Sequence, residues 1–243
     1  MTVEAVTPET QRPVRRPLLV QRWHDLAFLH WSADPALIAP LLPAGTVPDT
    51  LDGVTYVGLI GFRMVGLGFL SGPGVPYLGT FCETNVRLYS VDRHGRRAVV
   101  FLSLEAERLL PVLTARATLR LPYMWSRMRL TRTGDVLTYS SRRRWPSPRP
   151  ATTAFSVRVG PEITDPTPVE HFLTARWALH TRAWGRTLHL PNDHPRWPLH
   201  RADLLTLDDT LIPATGLPAV TRPPDSVLYS PGVPVVFGAP DTL

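Results

Sequence analysis

The stretch Thr80–Tyr123, TFCETNVRLYSVDRHGRRAVVFLSLEAERLLPVLTARATLRLPY, decides the fold of this 243-residue chain. Successive side chains of a strand point to opposite faces. Glu83, Asn85, Arg87 and Tyr89 therefore share one face, and Thr84, Val86, Leu88 and Ser90 share the other. An acid, an amide, a base and a phenol in one row suit the polar lining of a barrel or cleft. Asp92-Arg93-His94-Gly95 reads as the turn of a hairpin, and the return strand, Ala98–Leu104, is strongly apolar. The hairpin brings Glu105 beside the first strand, so Glu83, Arg87 and Glu105 are expected to project into one interior. A short helix with Pro near its start is expected over Pro111–Leu119.

Outward from this stretch the pattern is antiparallel. Asp34-Pro35 before ALIAPLL signals a short helix, with Asp as N-cap and Pro at the first helical position. Asp52-Gly53 predicts a two-residue hairpin between Val47–Leu51 and Val54–Phe62, and the glycine-rich tract Gly66–Gly79 a loop. Ser126–Arg132 and Val136–Arg144 flank a further hairpin turn at Thr133-Gly134-Asp135, and Thr153–Val159 continues the series. Thr167-Pro168-Val169-Glu170 is a capping box, opening a helix expected to run from Pro168 to about Ala183 with Phe172, Arg176 and His180 in one stripe. Asp225–Tyr229 and Val233–Phe237 read as two short strands around Ser230-Pro231-Gly232. Many antiparallel strands with a few helices make this an α+β protein on a curved, barrel-like sheet.

All 26 basic residues are Arg, none Lys, against 20 acids, for a net charge of +6. Without a side-chain amine there is no Schiff base, no anchor for pyridoxal phosphate and no Walker-type phosphate loop. The arginines are scattered among acids, and the run Arg142-Arg143-Arg144-Trp145 reads as a solvated strand end, so no nucleic-acid partner is expected. Residues 1–17 read as a flexible N-terminal arm and 18–243 as one domain. No apolar run suits a signal peptide or a membrane span, and the single Cys82 makes no internal disulfide, so a cytoplasmic protein with no membrane partner is expected. Cys82 also lacks the positive setting of a nucleophile. His189, His194 and His200 show no metal-ligand spacing; neither a metal nor a cofactor is expected. His30 is expected to pack in the core.

The assembled landmarks resemble the YqjF-like bacterial family, a domain of unknown function. They include Phe28-Leu29-His30-Trp31, Phe81-Cys82-Glu83-Thr84-Asn85-Val86-Arg87, Leu121-Pro122-Tyr123, Phe172-Leu173-Thr174-Ala175-Arg176-Trp177 and Tyr229-Ser230-Pro231-Gly232-Val233. That family is similar to a distant branch of the acetoacetate decarboxylase-like superfamily, which implies a cone-shaped β-barrel around a buried cavity. The decarboxylase keeps its Schiff-base Lys in a Lys pair after a Pro. The corresponding segment here is Leu121-Pro122-Tyr123-Met124, with no Lys. The resemblance implies the fold and the cavity while removing the imine mechanism.

The candidate catalytic residues are Glu83, Glu105, Tyr123 and His180, with the carboxylates and the histidine as proton carriers and Tyr123 as hydrogen-bond donor to a carbonyl. Asn85, Arg87, Arg116 and Arg176 are the candidate substrate-binding residues, Arg87 as carboxylate clamp. The expected activity is that of a cofactor-independent lyase, isomerase or cyclase acting on an anionic or carbonyl-containing small molecule, with homo-oligomerisation open. The competing reading is a non-catalytic ligand-binding or structural protein whose Glu–Arg pairs close the sheet.

Overall fold

A computed structural model describes residues 2–70, 72–146 and 151–243. Thirteen strands and four short helices follow in chain order. They are β1 (Leu19–Ala33), α1 (Pro35–Ile38), β2 (Thr46–Pro48), β3 (Thr55–Phe69), β4 (Phe81–Asp92), β5 (Arg97–Ala106), α2 (Leu109–Leu119), β6 (Tyr123–Thr133) and β7 (Val136–Trp145). Then come β8 (Thr152–Glu162), α3 (Pro168–Thr174), β9 (Ala178–Ala183), β10 (Arg186–Asp193), β11 (His200–Asp209), α4 (Leu211–Ala214), β12 (Ser226–Phe237) and β13 (Asp241–Thr242).

The strand order is β13-β10-β9-β5-β6-β7-β8-β11-β12-β1-β3-β4-β2, with β4 also pairing to β5 and β10 to β12. These two extra pairings close the sheet twice. One ring runs β5-β6-β7-β8-β11-β12-β1-β3-β4, the other β5-β9-β10-β12-β1-β3-β4. Strands β12, β1, β3, β4 and β5 belong to both and form a partition buried on either side. On one side Leu29, Leu59, Val86 and Val100 pack with Leu137, Tyr139 and Phe155 of the longer ring. On the other, Phe28, Ile60, Phe62 and Phe81 face Trp197, while Leu104 faces Leu179 and Leu190 of the shorter ring.

Irregularities in the partition set which side each residue serves. Opposite Val86–Arg87, strand β5 carries an extra residue: Val86 pairs Ser103 and Arg87 pairs Phe101, leaving Leu102 over. A bulge of this kind reverses the alternation beyond it. In β1, Asp25 (φ 51°) falls between two stretches of register with β12, opposite Pro231. Trp23 and Leu26, which strict alternation would separate, thereby both face the shorter ring.

The local signals at Asp34, Asp92–Gly95, Gly134 and Thr167 act as expected: the Asp34 carboxylate accepts from the Ala36 amide and both halves of the Thr167–Glu170 capping box form. Four expectations need correction. The helix from Pro168 stops at Thr174, and residues 178–183 are strand β9. Its last carbonyls turn to side-chain donors: the nearby Arg176 takes Phe172 O, while the distant Arg87 and Tyr89 take Leu173 O and Trp197 takes Thr174 O. Asp52-Gly53 does turn with both φ positive, but only Leu51 and Val54 bridge across it; β2 ends at Pro48 and pairs with β4. Strand β3 runs on through Gly66 to Phe69, so the glycine-rich loop begins later. The two C-terminal strands are one, β12, pivoting at Gly232 (φ 122°), where a Cβ would collide with the Trp23 carbonyl.

The segment 2–18 has no helix or strand, yet it is tied to the domain: Glu4 N donates to Gly95 O, Arg97 to Glu4 O and Val14 N to Asp193. No described helix is long and apolar enough to cross a membrane.

Candidate functional site

The shorter ring encloses a cavity of about 400 Å³. Apolar side chains make most of its wall, and α2 covers one side through Pro111, Thr114, Ala115 and Thr118. The face read from the sequence lines it: Glu83, Asn85 and Arg87 of β4 all reach the cavity, as does Tyr123 at the start of β6.

Glu83 is 3% exposed, and its Oε2 accepts from the Tyr123 hydroxyl at 2.9 Å. Burial without a cation raises its pKa to about 7, against the pull of hydrogen bonds from Tyr123 and Asn85. Burial, with the Glu83 charge adding to it, drives the Tyr123 phenol well above its ordinary range, so it stays a donor. Asn85 is 4% exposed, and its Oδ1 has no partner among the described residues.

Arg87 stands out because no described carboxylate lies within ion-pair distance of it. Its Nε donates to the Tyr89 hydroxyl at 3.1 Å and its NH2 to Leu173 O at 2.8 Å. The guanidinium lies 5.6 Å from the Phe28 ring centroid. Tyr89 hydroxyl donates to Leu173 O and also meets His30 Nε2 at 2.7 Å. His30 is fully buried as expected; burial first, then Arg87 and Arg176, push its pKa well below the usual value. Gly58 sits opposite Arg87, where a Cβ would lie 3.1 Å from His30 and 3.2 Å from the Arg87 side chain. The glycine leaves room for the His30 ring and the Arg87 side chain.

The other four candidates lie elsewhere. Glu105 pairs across from Thr84, on the side of the partition away from the cavity, because the bulge at Leu102 has reversed the alternation. There Glu105 is held by Arg143 and by the Ser103 and Ser126 hydroxyls. Arg116 does not line the cavity; its NH1 donates to Tyr123 O at 2.7 Å and its guanidinium covers the Trp145 ring. Arg176 is buried in an ion pair with Asp49, which also receives Arg97. That acid carries no pattern in the sequence and was not anticipated as a partner.

His180 is on β9 one residue past the cavity-lining Leu179, so it points outward from the ring. Its Nδ1 meets Ser90 Oγ at 2.9 Å, and Nε2 lies 3.6 Å from Asp92. Serine, histidine and aspartate stand in triad company, but all three are sealed away from the cavity. Burial, then the neighbouring His189, lower the His180 pKa to about 4, which leaves it neutral. Among the described residues no cluster of three or more His, Cys, Asp or Glu is arranged to hold a metal.

Sequence reasoning missed the orienting pair Tyr89 and Leu173 O and the aromatic wall at Phe28 and Trp197. Tyr89 was visible on the right face; the others depend on long-range packing.

Solved structures share this architecture. The enduracididine biosynthesis enzyme MppR complexed with pyruvate superposes with a TM-score of 0.64 at 15% identity, covering 93% of this chain and 90% of its own. An acetoacetate decarboxylase-like enzyme from Sphingomonas wittichii gives 0.62 at 13% identity, covering 100% and 99%. The fold is therefore acetoacetate decarboxylase-like, mostly strands with few helices. In sequence, the Uncharacterized protein YqjF of Bacillus subtilis (strain 168) is 28% identical over 200 residues, 82% of each chain. The model of the DUF2071 family, described as "Uncharacterized conserved protein", matches residues 20–234. The chain belongs to the DUF2071 family.

Proposed function

We propose that the chain is a cofactor-independent enzyme that moves protons on a small carbonyl-containing carboxylate, of lyase, isomerase or cyclase type, without an imine. The observation that carries this reading is Glu83: a cavity carboxyl with a pKa of about 7, hydrogen-bonded to a phenol, on the same strand as an unpaired guanidinium. A general base is most effective when its pKa lies near the working pH. Arg87 would hold the substrate carboxylate by charge-assisted hydrogen bonds. With a keto group near Asn85 and Tyr123, ionised Glu83 takes a proton from the adjacent carbon. The C–H pair forms the new C=C bond and the carbonyl π pair moves to oxygen.

Once protonated, Glu83 no longer draws the Tyr123 hydroxyl, which is then free to donate to the enolate oxygen. Return of the proton to another carbon isomerises the substrate. Loss of a leaving group eliminates, and attack by the enolate carbon on an internal electrophile closes a ring. The pyruvate complex of MppR supports a keto acid in such a cavity, as a property of that protein.

The test is hydrogen–deuterium exchange at C3 of pyruvate and 2-oxobutanoate in D2O, followed by proton NMR. Wild type should accelerate exchange and Glu83→Gln should not. The second reading, a binding protein without turnover, is favoured by the two bonds that tie Arg87 to the fold. Saturable binding of these acids with no acceleration would establish it.

A further inference from the structure

The cavity is far longer than its polar end needs. Along β3 the lining residues pass from Ile60, 1% exposed, through Phe62 and Met64, at 4% and 3%, to Phe69, 57% exposed. Opposite them Asn85 pairs Ile60 and Glu83 pairs Phe62. All the charged groups therefore sit at the buried end. Beyond Phe81, where β4 begins, the walls are Leu67, Phe69, Val75 and Leu78, with Leu110 and Pro111 of α2 across from them.

The rim is apolar as well. Two of the exposed large apolar side chains, Phe69 and Leu110, line this mouth, and exposed Leu70 and Tyr77 follow or precede lining residues in the chain. Arg108 fastens the two halves of the rim, stacking 4.2 Å from the Tyr77 ring centroid and donating to Tyr77 O. A keto acid of four carbons would leave this outer region unfilled. A volume of about 400 Å³, at about 30 Å³ per water-sized atom, holds roughly thirteen non-hydrogen atoms.

We propose that the ligand is an amphipathic monocarboxylic acid of about eight to ten carbons, with its carboxylate on Arg87 and an unbranched apolar chain running past Phe62 toward the mouth. This rests on the same cavity as the proton-transfer reading and narrows its substrate class. Charged recognition stays confined to the first few carbons, Gln21, Thr114 and Thr118 being the uncharged polar groups elsewhere in the wall, and the chain contributes affinity mainly by burial.

Calorimetric titration of the full chain with butanoate, hexanoate, octanoate and decanoate, below their micelle concentrations, tests the assignment. Affinity should rise by roughly four-fold per methylene, the ratio set by burying one CH2, and level off near decanoate. 1-Decanol should bind much more weakly. Arg87→Gln should weaken the acids by ten-fold or more while leaving the alcohol unchanged. Phe62→Trp, on the apolar wall beyond the carboxylate, should weaken decanoate and spare butanoate.

Affinity independent of chain length, with pyruvate or 2-oxobutanoate bound, would overturn the long-chain assignment and leave the proton-transfer reading standing. Tight decanoate binding with no exchange on any keto acid would keep the ligand class and remove the catalytic reading. Failure of every acid to bind wild type would remove both.

Discussion

At the scale of single residues, two Arg–acid relationships that look alike in the sequence behave differently in the fold. Arg87 faces a cavity with no carboxylate partner, whereas Arg143 closes on buried Glu105. Removing Arg87 strands no charge, and Leu173 O keeps its bond from Tyr89. Arg87→Gln should thus cost about 1 kcal/mol, the scale of one hydrogen bond. Arg143→Ala leaves a buried carboxylate alone and should cost about 3–5 kcal/mol. Thermal melts of the two variants compare these directly. Glu83 gives the opposite sign. Its folded pKa of about 7 lies above the ordinary 4.5, so the folded state holds the extra proton. Its contribution is intact below pH 4.5 and is lost as pH rises to 7. Glu83→Gln should therefore stabilise the protein above pH 7, by on the order of 3 kcal/mol, while abolishing proton exchange. Equal stability of wild type and variant at pH 8 would contradict the raised pKa.

At the scale of elements, local chemistry was legible and handover between elements was not. Asp34, the Asp92–Gly95 turn and the Thr167 capping box are short-range signals, and each sits where its sequence places it. The end of α3 is set by side chains that take its last carbonyls, the nearby Arg176 and the distant Tyr89 and Trp197, and no nearby Gly or Pro announces it. The same distinction governs the site. The face of β4 follows from alternation alone, so Glu83, Asn85 and Arg87 were found. Glu105 follows from alternation plus a bulge, and one extra residue in β5 moved it to the other side. Thr167→Ala should cost about 1 kcal/mol, as loss of an N-cap does. Gly232→Ala should cost more, since the substituted residue would keep a φ of 122° and its Cβ would press on the Trp23 carbonyl. Urea unfolding of both variants orders the two effects.

At the scale of the molecule, buried histidines oppose Glu83. His180, His189 and His194 all have pKa values of about 4, with burial the first cause in each. The unfolded chain binds these protons from about pH 6.5 downward, so stability falls as pH drops from 6.5 to 4. These three, with His30 and His171 lowered in the same direction, outweigh the two carboxyls that burial raises, Glu83 and Asp209. The melting temperature should decline through that range; a flat or rising profile would contradict it. The partition of β12, β1, β3, β4 and β5 has one more consequence. In most sheets a strand can be reached from solvent on at least one face, but here both faces are covered. Unzipping any of the five requires opening one ring or the other. Amide protons of β3 and β4 should therefore be the last to exchange with solvent, and the strands of the cavity floor should form the slowest-opening unit of the protein. A ligand would then find its polar contacts held on the most rigid part of the chain, while its apolar remainder meets the faster-moving edge.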